Sequence, residues 1–190
     1  MADTNQENVN KLLQEANNGT RSRVAQCINV FKLIKWKRVS FIIPDVPEPS
    51  HRPRLSGYRF YVPGAAKKQS FFNRVVVPTL NGLFITTPCK VHSDIYIPTP
   101  KSFTLVQKIL AEMKILRPWG NVGDVDNYAK AIYDQMQPNE KRGHVGIMSN
   151  DSLIVDADEH KYYSMTPRYE ISISYMGDIP DELKRILRIN

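Results

Sequence analysis

Cysteine is scarce in this chain of 190 residues: Cys27 and Cys89 stand alone, with no C-x-x-C spacing. Nothing therefore suggests a disulfide framework or a cysteine-built zinc site, and a reduced, cytoplasmic environment is the expectation. Long apolar runs are missing as well. None approaches the roughly 20 residues that span a bilayer, and the opening M-A-D-T-N-Q-E is polar and acidic, unlike a secretory leader. No membrane partner is expected. There is also no glycine-rich loop of the kind that cradles a nucleotide phosphate, which argues against small-molecule phosphohydrolase chemistry.

What is present suits one domain with a terminal extension, since 42% hydrophobic and 24% charged residues can build and solvate a core. Net charge is +7, unevenly spread: residues 1–119 hold 18 Lys and Arg against 7 Asp and Glu, whereas residues 120–190 hold 8 against 12. A basic part beside an acidic one fits a polyanion-binding surface around a cation-binding centre; the plain alternative is a solvated basic face.

The chemistry concentrates between Gly123 and Asp151, in G-D-V-D-N-Y-A-K-A-I-Y-D-Q-M, a polar loop, and G-I-M-S-N-D. Ala129, Ile132, Tyr133 and Met136 fall on one face of a helix expected over 126–137. Asp126, Lys130 and Asp134, spaced by four, line the other face. Two carboxylates at a helix start and Asp151 before an apolar strand supply oxygen ligands for a hard divalent cation. Helix capping explains one such Asp but not the set. A calcium loop is a poor fit, because Ala129 stands where an EF-hand needs Gly.

The set D-V-D-N-x-x-K-x-x-x-D, a later acidic position before an apolar strand and Lys161 beyond it resembles the RusA family of Holliday junction resolvases. The resemblance implies catalytic Asp124, Asp126, Lys130 and Asp151, with Asp124, Asp126 and Asp151 holding Mg2+ or Mn2+. It implies a metal-dependent endodeoxyribonuclease that resolves four-way and other branched DNA by paired nicks, working as a homodimer. Two positions depart from the pattern: Asn150 replaces the first member of an acidic pair, and Leu153 replaces a polar residue. A non-catalytic junction-binding protein of the same fold is the competing reading, and Asn150 is its best support.

The expected fold is α+β: one RusA-like domain over 38–176, a mixed β-sheet packed by helices. An N-terminal helical extension over 1–37 and a short C-terminal helix within 177–190 flank it. Strands are expected at Val39–Ile43, Arg59–Val62, Leu83–Thr86, Lys90–Ile97, from Leu153, and at Arg168–Tyr175. Helices are expected at 4–16 with Gly19 as a stop, 22–35 with apolar residues on more than one face, 65–77, 104–116 and 180–188. Residues 44–54 hold four prolines and read as an extended loop. Arg52 and Arg54 in that loop, with His51 beside them, Lys67 and Lys68 on the following helix, and Asn127 are the expected DNA contacts; Lys141, Arg142 and His144 in the loop over 138–146 either touch DNA or, as loop charges usually do, simply face solvent. Alternation along 90–97 puts His92 on a solvent face rather than in a ligand set. Asp156, Asp158 and Glu159 either extend the cation site or face solvent.

Overall fold

The structure is a computed structural model describing residues 3–50, 54–56, 59–61, 65–120 and 122–187. The chain divides into two compact units, Lys37–Tyr175 and a second made of Met1–Trp36 with Met176–Asn190.

In the larger unit, β1 (Trp36–Ile43), β4 (Cys89–Pro98), β5 (Ile154–Ser164) and β6 (Arg168–Met176) form one sheet in the order β1-β6-β4-β5. β2 (Arg54–Ser56) and β3 (Arg59–Tyr61) pair antiparallel as a separate ribbon. β4 lies between an antiparallel neighbour, β6, and a parallel one, β5, so the sheet is mixed. Its sequence alternates accordingly: Val91, Ser93, Ile95 and Ile97 are buried, while Lys90, His92 and Asp94 lie on the other face. β6 repeats the pattern with Tyr169, Ile171 and Ile173 buried.

Among the described residues of this unit the α-helices are α3 (Ala65–Val75), α4 (Leu105–Glu112) and α5 (Val125–Met136). α5 buries Tyr128, Ala129, Ala131, Ile132, Gln135 and Met136. Ile132 and Met136 join Phe72, Ile43, Ile85, Ile95, Ile147 and Ile171 in one core cluster, each large side chain contributing roughly 1.5–3 kcal/mol by leaving water. α4 is closed by a full capping box between Thr104 and Gln107. It buries Ala111, yet leaves Leu105, Val106, Ile109 and Met113 exposed.

In the smaller unit, α1 (Asp3–Glu15) and α2 (Asn18–Leu33) come first and α6 (Asp181–Leu187) last. Leu183 of α6 is fully buried, and Gln26 of α2 donates a hydrogen bond to Glu182.

Several expectations are corrected. Gly19 does not stop a helix: Asn17 caps α2 by accepting from Thr20 N, and Gly19 sits in that helix's first turn. No residue of α2 is buried, so it is not packed on several faces. Leu83–Thr86 is not a strand; Ile85 alone forms a bridge, parallel to Met148, because its neighbours turn away to solvent and loop. Leu153 falls in a 3-10 turn and Val155 is exposed, so the start of β5 is not buried. Arg54, the last residue of the expected extended loop, opens β2.

Candidate active site

Asp124 is the N-cap residue of α5, with extended backbone, but its side chain accepts no capping hydrogen bond. Its carboxylate is therefore left available in a place where the helix dipole favours negative charge. Asp126 follows in the first turn, and both are exposed. The backbone just before them is pinned from β5: Lys161 Nζ donates to Gly123 O at 2.5 Å and to Val122 O at 3.4 Å. A Cβ on Gly123 would meet Pro49 and the Tyr128 ring at 3.4 Å, so the turn lies close against the proline-rich segment. That segment is held at the same helix end by Ser50 N donating to Asn127 O, 2.8 Å.

Asp151 arrives by a second route. After α5 the chain turns back through a short 3-10 turn, Glu140–Arg142, and Gly146 passes directly against the helix C-terminus. Ile147 N and Met148 N both donate to Met136 O, at 2.7 and 3.0 Å. Ile85 then holds the strand-like stretch on its other side, donating to Ile147 O and accepting from Ser149 N. Asn150 ends this path as an N-cap, its Oδ1 accepting from Ser152 N at 2.8 Å, and Asp151 opens the turn that it caps. The position that departs from the family's acidic pair thus has a structural task, which an uncharged amide performs well.

Along α5, Lys130 Nζ stands 3.7 Å from Asp134, both partly exposed. Burial is the largest influence on Asp134 and raises its pKa; Lys130 opposes this, and the negative charge of Asp151 adds to the rise. The far end of the acidic helix face therefore lies within electrostatic reach of Asp151. Tyr133, on the buried side, donates to Glu159 of β5 at 2.7 Å. Its hydroxyl is held well above its usual range by burial, then by that carboxylate.

Asp124, Asp126 and Asp151 do not bring one ligand atom each to within 4.8 Å of one another; among the described residues a different group does so. A donor set of two exposed carboxylates and the part-exposed Asp151 still fits a hard cation, because Mg2+ keeps several waters and takes only one or two carboxylates directly. Lys68 is half-buried and paired with Glu48 at 3.3 Å, which joins α3 to the proline-rich segment, while Lys67 is exposed. Arg52 lies outside the described residues, and of Arg54 only the backbone is described. His144 is corrected: it is 3% exposed, and its Nε2 meets Gln135 O at 2.5 Å, so it closes the core beneath the loop instead of facing solvent.

Residues 44–174 match the family described as Endodeoxyribonuclease RusA. The chain belongs to the RusA family. The RusA match takes in the proline-rich segment, α3 to α5, β4, β5 and most of β6, and leaves α1, α2 and α6 outside. A curated relative, "Uncharacterized protein YqaN" of Bacillus subtilis (strain 168), is 30% identical over 142 residues, covering 71% of this chain and 94% of its own. Within the RusA span, the sequence motif names the residues but not what positions them. Gly146, Lys161 and Asn150 do that positioning. Lys161 and Asn150 carried a sequence signal, as the later Lys of the pattern and as the first position of the acidic pair; Gly146 carried none.

Proposed function

We propose that the protein is a metal-dependent, structure-selective endodeoxyribonuclease that resolves Holliday junctions by paired nicks. The observation that carries this reading is the RusA match over 44–174, which includes every member of the set Asp124, Asp126, Lys130 and Asp151. Asp124, Asp126 and Asp151 hold one or two Mg2+ ions, with Mn2+ as a substitute. Such a cation, when bound, lowers the pKa of a coordinated water and stabilises charge on the scissile phosphate. Lys130 stands over the acidic helix face and donates to a phosphate oxygen or orients the attacking water. Lys161 keeps the Val122–Gly123 backbone, and hence Asp124, in place.

Branched DNA is approached from the proline-rich segment, where Arg52 and Arg54 follow Ser50, the residue tied to Asn127 at the α5 N-terminus. Lys67 adds a phosphate contact from α3. A four-way junction is close to two-fold symmetric, so paired nicks call for a C2 homodimer. The outward apolar side chains of α4, Leu105, Ile109 and Met113, offer a surface for a second copy to cover.

A non-catalytic junction binder is the second reading, supported by Asn150 in the acidic pair and by the spacing of the three carboxylates. Incubation with a synthetic four-way junction, with and without Mg2+, separates the two. Symmetric nicks that require the metal support the nuclease. Binding without cleavage in either Mg2+ or Mn2+ transfers the conclusion to the binder.

A further inference from the structure

The sheet carries a second group of ligating side chains, on the face away from α5. Tyr133 of α5 reaches Glu159, so side chains at 158 and 160 project from β5 to the opposite side. The parallel register places His92 opposite Asp158 and Asp94 opposite His160. One ligand atom each from His92, Asp158 and His160 lies within 4.8 Å of the others. Asp158 sits between the two rings, 2.9 Å from His92 Nδ1 and 3.1 Å from His160 Nε2. Ligands about 2.0–2.1 Å from a tetrahedral ion stand roughly 3.3–3.4 Å apart, and each histidine already lies within a few tenths of an ångström of that distance from one oxygen of Asp158.

A further carboxylate stands behind His92. His92 meets a carboxylate at each ring nitrogen: Asp158 at Nδ1 and Asp94 Oδ1 at Nε2, 3.3 Å away. Asp94 Oδ1 is shut away from solvent and has no hydrogen-bond partner of acceptable geometry. A cation on Nδ1 would use that nitrogen's lone pair and leave the N–H at Nε2, on the Asp94 side. A carboxylate behind a ligating imidazole is the usual support of a histidine–metal bond. The three side chains remain partly exposed, at 45%, 63% and 37% for His92, Asp158 and His160, so an ion can enter from solvent.

We infer that His92, Asp158 and His160 form a binding site for a zinc-class divalent cation, with Asp94 orienting His92 and a fourth position open to water. Two imidazoles and one carboxylate suit Zn2+ and its neighbours and are unsuited to Mg2+, so the site is chemically distinct from the carboxylates of α5. It joins β4 to β5, and binding there adds to the stability of that strand pair. It does not depend on the nuclease reading.

The test uses the untagged full chain, stripped of metal by a chelator, titrated with Zn2+ against a chromophoric competitor and separately with Co2+. One Zn2+ per chain is expected, with a visible Co2+ spectrum of low coordination number and a rise in Tm. His92→Gln and His160→Gln should each weaken Zn2+ at least about tenfold, and Asp94→Asn by about tenfold, as for outer partners of a ligating histidine. Asp124→Asn/Asp126→Asn should bind Zn2+ like the parent. The inference is overturned if the parent chain does not take up Zn2+ at micromolar concentration. It is equally overturned if both His variants bind like the parent, or if the Asp124/Asp126 variant is the one that loses the ion. The Co2+ spectrum of the parent decides the matter if a His variant fails to fold: a spectrum without nitrogen ligation overturns the site.

Discussion

At the scale of single residues, carboxylates and thiols make the sharpest predictions. Asp126→Asn is nearly isosteric and keeps its place in the first turn of α5, yet removes a charge that a hard cation uses. The variant is expected to fold and bind junction DNA at least as tightly as the parent, with cleavage in Mg2+ reduced by about a hundredfold or more. Binding by gel shift and single-turnover cleavage check both halves, and parental cleavage by the variant removes Asp126 from the site. Asn150→Asp keeps the cap and restores a charge, so activity should hold or rise. The two cysteines should differ as well. Cys89 is fully buried, and desolvation pushes its pKa up to about 11, because burial disfavours the thiolate. Below that pH it stays a neutral thiol, whereas Cys27 is partly exposed. At pH 8 a thiol-reactive disulfide reagent should therefore label one cysteine in the native protein and both in denaturant.

At the scale of elements, the way Asp151 is delivered gives a test that no motif suggests. Gly146 has φ +68, and a Cβ there would lie 2.5 Å from Met136 O and 2.6 Å from Gln137 C, backbone that cannot swing aside. Gly146→Ala should cost about 1–3 kcal/mol for its backbone conformation and more for the clash. It should also displace the segment that carries Asn150 and Asp151. Urea unfolding should show the loss of stability, and cleavage should fall further than junction binding does. Equal stability in the variant would mean that the α5 C-terminus and this segment do not pack as described. Lys161→Met removes the donor to Val122 and Gly123 and should lower cleavage in the same selective way.

At the scale of the whole molecule, charge and symmetry govern. The 18 Lys and Arg before residue 120 exceed the acids there by 11, and phosphate contacts of that kind release counterions. Junction affinity should fall steeply with salt, roughly 10³-fold or more between 50 and 200 mM if six or more phosphates are neutralised. It should depend on junction shape more than on base sequence. Filter binding across a salt series checks this, and a flat series contradicts it. A C2 dimer should appear by light scattering at micromolar concentration. Ile109→Asp, on the exposed face of α4, should shift it toward monomer and uncouple the paired nicks.

The sequence by itself determined the elements with strong periodicity and the identity of the acidic helix. The spacing of Ala129, Ile132 and Met136 against Asp126, Lys130 and Asp134 is a local property, and α5 buries those three, while Tyr133, expected beside them, is only half-buried. The alternation of Val91, Ser93, Ile95 and Ile97 likewise fixed which face of β4 is buried. Where local signals were weak, the structure decided otherwise. Leu83–Thr86 looks like a strand but contributes a single bridge at Ile85, and His144, in a charged loop, fills the core. The tertiary structure alone decided what lies beside what. No spacing along the chain links His92 to His160, or Lys161 to Gly123. The first pair meets because β4 and β5 run parallel in one particular register. The second meets because α5 begins where β5 passes, so one lysine on the α5 side of the strand can hold the turn. Register and packing are set by which apolar faces can be buried together, a property of the assembled core that no short stretch of sequence contains.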